Sequence, residues 1–121
     1  MEDYLFAIQQ DVDMDIGFQW FESDGETPCT FSEPVVVMSE LREKPASTEA
    51  LLKLSSEDGT ITVYPTIGKI TLHYKAELTK GLDFNVASID ILVKETIEGE
   101  IRKTRDVRGT VKLIRMITRD E

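Results

Sequence analysis

Gly59-Thr60-Ile61-Thr62-Val63-Tyr64-Pro65-Thr66-Ile67-Gly68-Lys69-Ile70-Thr71-Leu72-His73-Tyr74 is the stretch that decides the fold. Successive side chains of a strand point to opposite faces, so Ile61 and Val63 share one face of the first half. Ile70, Leu72 and Tyr74 share one face of the second half. Pro65-Thr66-Ile67-Gly68 between them has the residues of a tight connection, because Pro fixes φ and Gly tolerates a left-handed backbone. Two alternating segments joined in this way predict a β-hairpin with one buried face.

The same period of two extends outward in both directions. Upstream, Ile16, Phe18 and Trp20 alternate with Gly17, Gln19 and Phe21, and Ser23-Asp24-Gly25-Glu26 follows as a turn. Pro34 then precedes the β-branched run Val35-Val36-Val37-Met38, an inner strand continuing to Arg42. Glu43 to Thr48 is a polar loop containing Pro45. Ala50 to Leu54 fits a strand or half a helical turn, with strand favoured by the alternation that follows. Downstream, Lys75 to Leu82 carries helix formers over about two turns and predicts a helical corner capped at Gly81. Val86 to Lys94 alternates again, with Ile89, Ile91 and Val93 on one face, and Thr96-Ile97-Glu98-Gly99 turns the chain. Glu100 to Arg105 is a polar strand suited to a sheet edge, where charge discourages unwanted pairing. Val107 to Thr118 closes the pattern. Met1 to Gln10 has two options, pairing as a strand in its own sheet or reaching to a neighbour. Six to eight short strands with one helical corner read as an all-β, antiparallel sandwich or barrel, and the expectation is one sandwich, a single domain over residues 1–121.

The 121 residues are 40% apolar and 31% charged with a net charge of −9, which suits a globular domain and argues against a generally basic nucleic-acid binder. A single Cys and a single His offer neither an intrachain disulfide nor a structural zinc set. No apolar run approaches the ~20 residues of a spanning helix, and Met1-Glu2-Asp3-Tyr4 lacks the positive lead of a signal peptide. The expectation is therefore no cofactor, no metal, no nucleic acid and no membrane, in a chain that stays where it is made.

Charge is uneven along the sequence. Residues 1–60 hold 14 acidic and three basic side chains, and residues 61–121 hold nine and 11. The contrast is sharpest between Glu22, Asp24, Glu26 and Glu33 and the bases Arg102, Lys103, Arg105, Arg108, Lys112, Arg115 and Arg119, opposed over 101–119 only by Asp106. Such segments are solvated faces of one sheet protein, or surfaces suited to head-to-tail contact between copies or with unlike neighbours, or, for the basic segment, a nucleic-acid contact. Against the last stand the lack of interleaved aromatics and the repulsion of phosphate by the acidic remainder.

Candidate chemistry is sparse. His73 falls opposite Leu72 and Tyr74 and reads as a surface residue, without a second His or a Cys–His–Asn pattern to build a nucleophilic site. Cys29 reads as a small, partly buried loop residue. Asp11-x-Asp13-x-Asp15 suggests calcium, but a calcium loop needs Gly at its sixth position, where this chain has Ile16, although Glu22 fits the twelfth. These aspartates read as solvated charge on one strand face. The glycines make no Gly-x-Gly pair and no phosphate loop, and no catalytic set assembles.

The ordered string Asp24-Gly25, Val35 to Arg42, Leu51-Leu52-Lys53-Leu54, Gly59-Thr60-Ile61, Gly68-Lys69-Ile70-Thr71-Leu72, the corner Ala76 to Leu82, Ile89-Asp90-Ile91 and Gly109-Thr110-Val111 with Thr118-Arg119 resembles the small β-sandwich modules of tailed-bacteriophage virions. The likeness spans roughly residues 5–119. Ile89 stands where that family often has Tyr, and Met14-Asp15 where it often has Gln-Gly. The resemblance implies an immunoglobulin-like sandwich serving as a non-enzymatic collar, neck or tail adaptor in the virion. It would assemble in symmetric copies with connector, tail or fibre subunits. Interface residues expected from the charge pattern are Arg102, Lys103, Arg105, Arg108 and Arg115 on one side and Glu22, Asp24 and Glu26 on the other. The alternative is a carbohydrate- or receptor-binding module of a fibre or baseplate, with Trp20, Phe21, Tyr64 and Tyr74 as its aromatic platform.

Overall fold

In the computed structural model, which describes residues 2–117, the deciding stretch folds as the expected hairpin. Strands Ile61–Tyr64 and Lys69–Tyr74 pair antiparallel, with Ile61 opposite Leu72 and Val63 opposite Ile70, around a 3-10 turn at Pro65–Ile67. Gly68 closes that turn at φ 57°, and a Cβ there would lie 2.6 Å from the carbonyl oxygen of Cys29, so two constraints reserve the position for glycine.

In chain order the strands are β1 (Glu2–Gln9), β2 (Met14–Gln19), β3 (Val35–Arg42), β4 (Leu52–Ser55), β5 (Ile61–Tyr64), β6 (Lys69–Tyr74), β7 (Val86–Ile97) and β8 (Glu100–Ile114), with one short helix, α1 (Ala76–Thr79), between β6 and β7. They form two sheets, β2-β6-β5 and β1-β8-β7-β3-β4. Alternation sends Val37 and Leu41 of β3, Ile89, Ile91 and Val93 of β7, and Val107, Val111 and Leu113 of β8 inward. There they share one core with Ile61, Ile70, Leu72 and Tyr74 of the smaller sheet. Each such aliphatic side chain contributes on the order of 1.5–3 kcal/mol relative to staying in water. Ser39 occupies an inward position on β3 and is buried, and its hydroxyl donates to the Asp90 carbonyl at 2.8 Å, which offsets its desolvation.

The pairing is not antiparallel throughout. β1 runs parallel to β8, Leu5 opposite Thr110 and Ile8 opposite Leu113, which corrects the all-antiparallel expectation. The cause is a change of sheet: β1 and β2 are consecutive, but β1 joins the five-stranded sheet and β2 the three-stranded one, so β1 lies beside the last strand and runs with it. A period of two specifies faces and carries no information about strand direction. The segment 1–10 thus pairs within its own domain over its described residues.

Two further boundaries shift. The polar segment Glu100–Arg105 and the closing segment are one strand, β8, bent where its register with β7 slips between Ile91 and Val93. There the residues between Thr104 and Val107 oppose only Leu92, a bulge that lets the charged arm and the apolar half share one strand. β7 continues to Ile97, and the chain reverses on Glu98 and Gly99 alone, at φ 50° and 81°, as a two-residue hairpin turn demands. The helical corner is a single turn. It ends at Thr79 with Lys80 right-handed, and Gly81 is not among the left-handed residues, so it does not cap as expected. Buried Thr79 sets the end instead: its hydroxyl accepts the Asp11 amide at 3.0 Å, tying the corner to the β1–β2 turn. Thr118 and Arg119 lie outside the described residues.

Candidate protein interface

The acidic segment between β2 and β3 is held as a loop across one end of the molecule. Trp20 N–H donates to Gly68 O at 2.9 Å, Phe31 N–H to Pro65 O at 2.8 Å and Ser32 N–H to the Glu95 carboxylate at 2.8 Å. Trp20 and Phe31 meet edge to face at 5.6 Å beneath it. The loop therefore bridges the β5–β6 turn and β7. At its tip Glu22, Asp24 and Glu26 are exposed. Asp24 is used locally: it accepts the Thr27 hydroxyl at 2.6 Å and the amides of Glu26 and Thr27 at 2.8 Å each. Those bonds, the Thr27 hydroxyl first, pull its carboxyl down to about 2. Burial, with the carboxylates of Glu22 and Glu95, pushes the Cys29 thiol up, away from the thiolate a nucleophile needs.

The basic residues do not form one patch. Arg102 and Lys103 are exposed on the β8 arm and make no ion pair among the described residues. Arg105 reaches Asp90 at 3.3 Å, and Arg108 stands opposite Asp90 in register on the outer face of the larger sheet. With Glu40 and Arg42, themselves paired at 2.6 Å, these side chains line a shallow cleft of about 660 Å³. Arg115 lies beyond the far end of β8 and is bound to Asp83 at 2.8 Å and to the Phe84 carbonyl at 3.2 Å, where it fastens the β7 entry loop. Among the expected interface cations, Arg102 and Lys103 combine exposure with no carboxylate partner among the described residues.

Of two strand edges open among the described residues, the one at Glu100–Arg105 is where the residue pattern puts an edge, and the other, on β5, has no sign in that pattern. β1 begins opposite Val107, so among the described residues no strand lies beside the outer edge of β8 from Glu100 to Arg105. Among the described residues β5 pairs only with β6, and between its open edge and the start of β3 lies a second cleft of about 770 Å³. Val35, Val36, Ile61 and Val63 line it, with Glu33 and Glu57 among the lining residues. Edges are set by long-range pairing, and the only local signal was the charge of Glu100–Arg105.

A hydrogen-bonded row also crosses the smaller sheet. Asp15 Oδ1 lies 2.7 Å from His73 Nδ1, and His73 Nε2 lies 2.7 Å from Thr62 Oγ1, joining β2, β6 and β5 on the outer face. His73 is thus a cross-strand tie that fixes the register of three strands. The Asp string is divided by role rather than shared on one face: Asp11 N–H bonds Thr79, Asp13 accepts the Ala76 amide at 2.8 Å at the start of α1, and Asp15 takes His73. Of the aromatic platform, Tyr74 is buried and Trp20 half-buried, leaving Phe21 and Tyr64 exposed. Among the described residues no three His, Cys, Asp or Glu side chains gather as a metal ion would require, and no helix is long and apolar enough to cross a membrane. No family model matches the chain, and no curated protein matches it in sequence.

Proposed function

We propose that this chain is a non-enzymatic structural subunit of a tailed-bacteriophage virion, an immunoglobulin-like adaptor of the collar, neck or tail that assembles in symmetric copies against connector, tail or fibre subunits. The strand order supports the immunoglobulin-like part. β2-β6-β5 takes the places of strands B, E and D, and β8-β7-β3-β4 those of G, F, C and C′, with α1 in the connection between E and F. The virion part is supported by the ordered motif string that runs through nearly the whole chain.

The observation that carries the assembly reading is a pair of unsatisfied, opposite surfaces on one small module. Glu33 and Glu57 stand at an apolar cleft beside a free strand edge, and Arg102 and Lys103 sit on another free edge. Neither pair makes an ion pair within the chain among the described residues. Apolar contact would supply most of the affinity and the charges would set the register. Image reconstruction with cross-linking mass spectrometry on phage particles carrying this chain should place it at a fixed, symmetric copy number in the collar, neck or tail. Particles that lack it, with the chain recovered free, would overturn the reading.

A further inference from the structure

We propose that copies of this chain join head to tail by strand addition: the open edge of β8 at Ile101–Lys103 in one copy pairs with the open edge of β5 at Ile61–Val63 in the next. The inference rests on the self-assembly part of the function proposed above and assigns it an interface.

Backbone phase fixes which groups are free. The Thr60 carbonyl accepts the His73 amide at 2.8 Å, so in antiparallel alternation Thr60, Thr62 and Tyr64 face β6. The amides and carbonyls of Ile61 and Val63 therefore point off the sheet. On β7, the Thr96 amide donates to the Pro34 carbonyl at 3.0 Å, which turns Thr96 and Lys94 towards β3 and Val93 and Glu95 towards β8. Their partners are Thr104 and Arg102, which leaves the backbone groups of Ile101 and Lys103 on the outer edge. Each edge thus offers two residues with both donor and acceptor free, the complement a short added strand needs.

Side chains select the pairing of unlike edges. Ile101 is 67% exposed and is followed by Arg102 and Lys103, while the cleft beside β5 is apolar between Glu33 and Glu57. An incoming β8 arm brings an apolar side chain to an apolar floor and two cations to two carboxylates. Pairing β8 with β8 would set Arg102 and Lys103 against their own kind, and pairing β5 with β5 would do the same with Glu33 and Glu57. The contact is therefore heterologous, and repetition yields a ring if the rotation closes.

Proline at an outward-facing position removes one free N–H while leaving the internal ladder intact, so Lys103→Pro blocks the β8 edge and Val63→Pro blocks the β5 edge. Light scattering after size exclusion should show the wild-type mass rising with concentration. Amide exchange should show Ile61, Val63, Ile101 and Lys103 gaining protection as it does. Each proline variant alone should remain monomeric, and an equimolar mixture should form a dimer and stop there, since one good edge of each kind survives. Assembly that persists in both single variants overturns this interface and leaves self-assembly standing. A wild-type monomer at every concentration overturns the interface too, while presence in particles decides the virion reading separately. If a proline variant fails to fold, charge reversal gives the same test. Lys103→Glu and Glu57→Lys should each weaken association at least tenfold, and mixing the two should restore it; failure of the mixture to recover overturns the pairing.

Discussion

At the scale of single residues, the costliest feature is the Tyr74 hydroxyl. The side chain is 1% exposed and its oxygen has no hydrogen-bond partner among the described residues, while burial pushes its ionisation well above the ordinary tyrosine value. A buried hydroxyl without a partner costs about 1–3 kcal/mol. Tyr74→Phe keeps the ring and removes the cost, so calorimetry should show a stabilisation of about 1 kcal/mol; a lower melting temperature would mean that the oxygen has a partner after all. Asp24 is the opposite case, a carboxylate fully supplied with donors. Its folded pKa of about 2 lies below the ordinary 3.8, so its contribution is complete above the unfolded value and is lost as pH falls through about 2. In an NMR titration the amides of Glu26 and Thr27 should move with a midpoint near 2, and a midpoint near 4 would dissolve the turn as described. The Asp24-Gly25 turn was legible because its bonds span two or three residues. The tie at His73 was not, since its partners are 58 and 11 residues away and become neighbours only through strand register.

At the scale of elements, faces were legible and neighbours were not. The alternation in β3, β6 and β7 marked the core because hydrophobic burial acts at a period of two whatever strand lies alongside. The parallel docking of β1 depends on which sheet the first strand enters, and no local pattern encodes that choice. One residue does carry a trace of it. A Cβ on Gly109 would run into the backbone of Tyr4, its partner in register, so β8 needs glycine there for β1 to approach. The same glycine reads in sequence as the start of a closing Gly-x-Val strand, with no hint of what it faces. Gly109→Ala should therefore displace β1 and destabilise the domain by about 1–3 kcal/mol, the usual cost of forcing extra volume into a packed site. Hydrogen exchange should locate the loss, with amides of β1 and of the β8 residues that face it, Thr110 and Lys112, exchanging faster while those of β5 and β6 keep their protection. Uniform loss of protection across both sheets would count against a local role for this glycine.

At the scale of the whole molecule, the two charge halves of the sequence are not two halves of the fold. β3 and β4 come from the acidic half and share a sheet with β7 and β8 from the basic half. Some of these charges are occupied within their own half of the sequence, Arg105 with Asp90 and Arg115 with Asp83 in the basic half and Arg42 with Glu40 in the acidic half. What survives for contact between copies is local attraction of the β8 arm for the acidic cleft, set against the mutual repulsion of bodies carrying −9 each. These two forces have different ranges, so salt separates them. At 0.01 M the Debye length is about 30 Å and repulsion acts across the whole domain; at 0.1 M it is about 10 Å and only facing surfaces interact; at 1 M, at about 3 Å, the exposed ion pairs are screened as well. Association should therefore be tightest near ~0.1 M and weaker on either side, a maximum that sedimentation velocity at the three ionic strengths would resolve. Steady tightening up to 1 M would leave apolar contact as the only attraction, and steady weakening from the lowest salt would mean that the local pairs outweigh the net charge at every range.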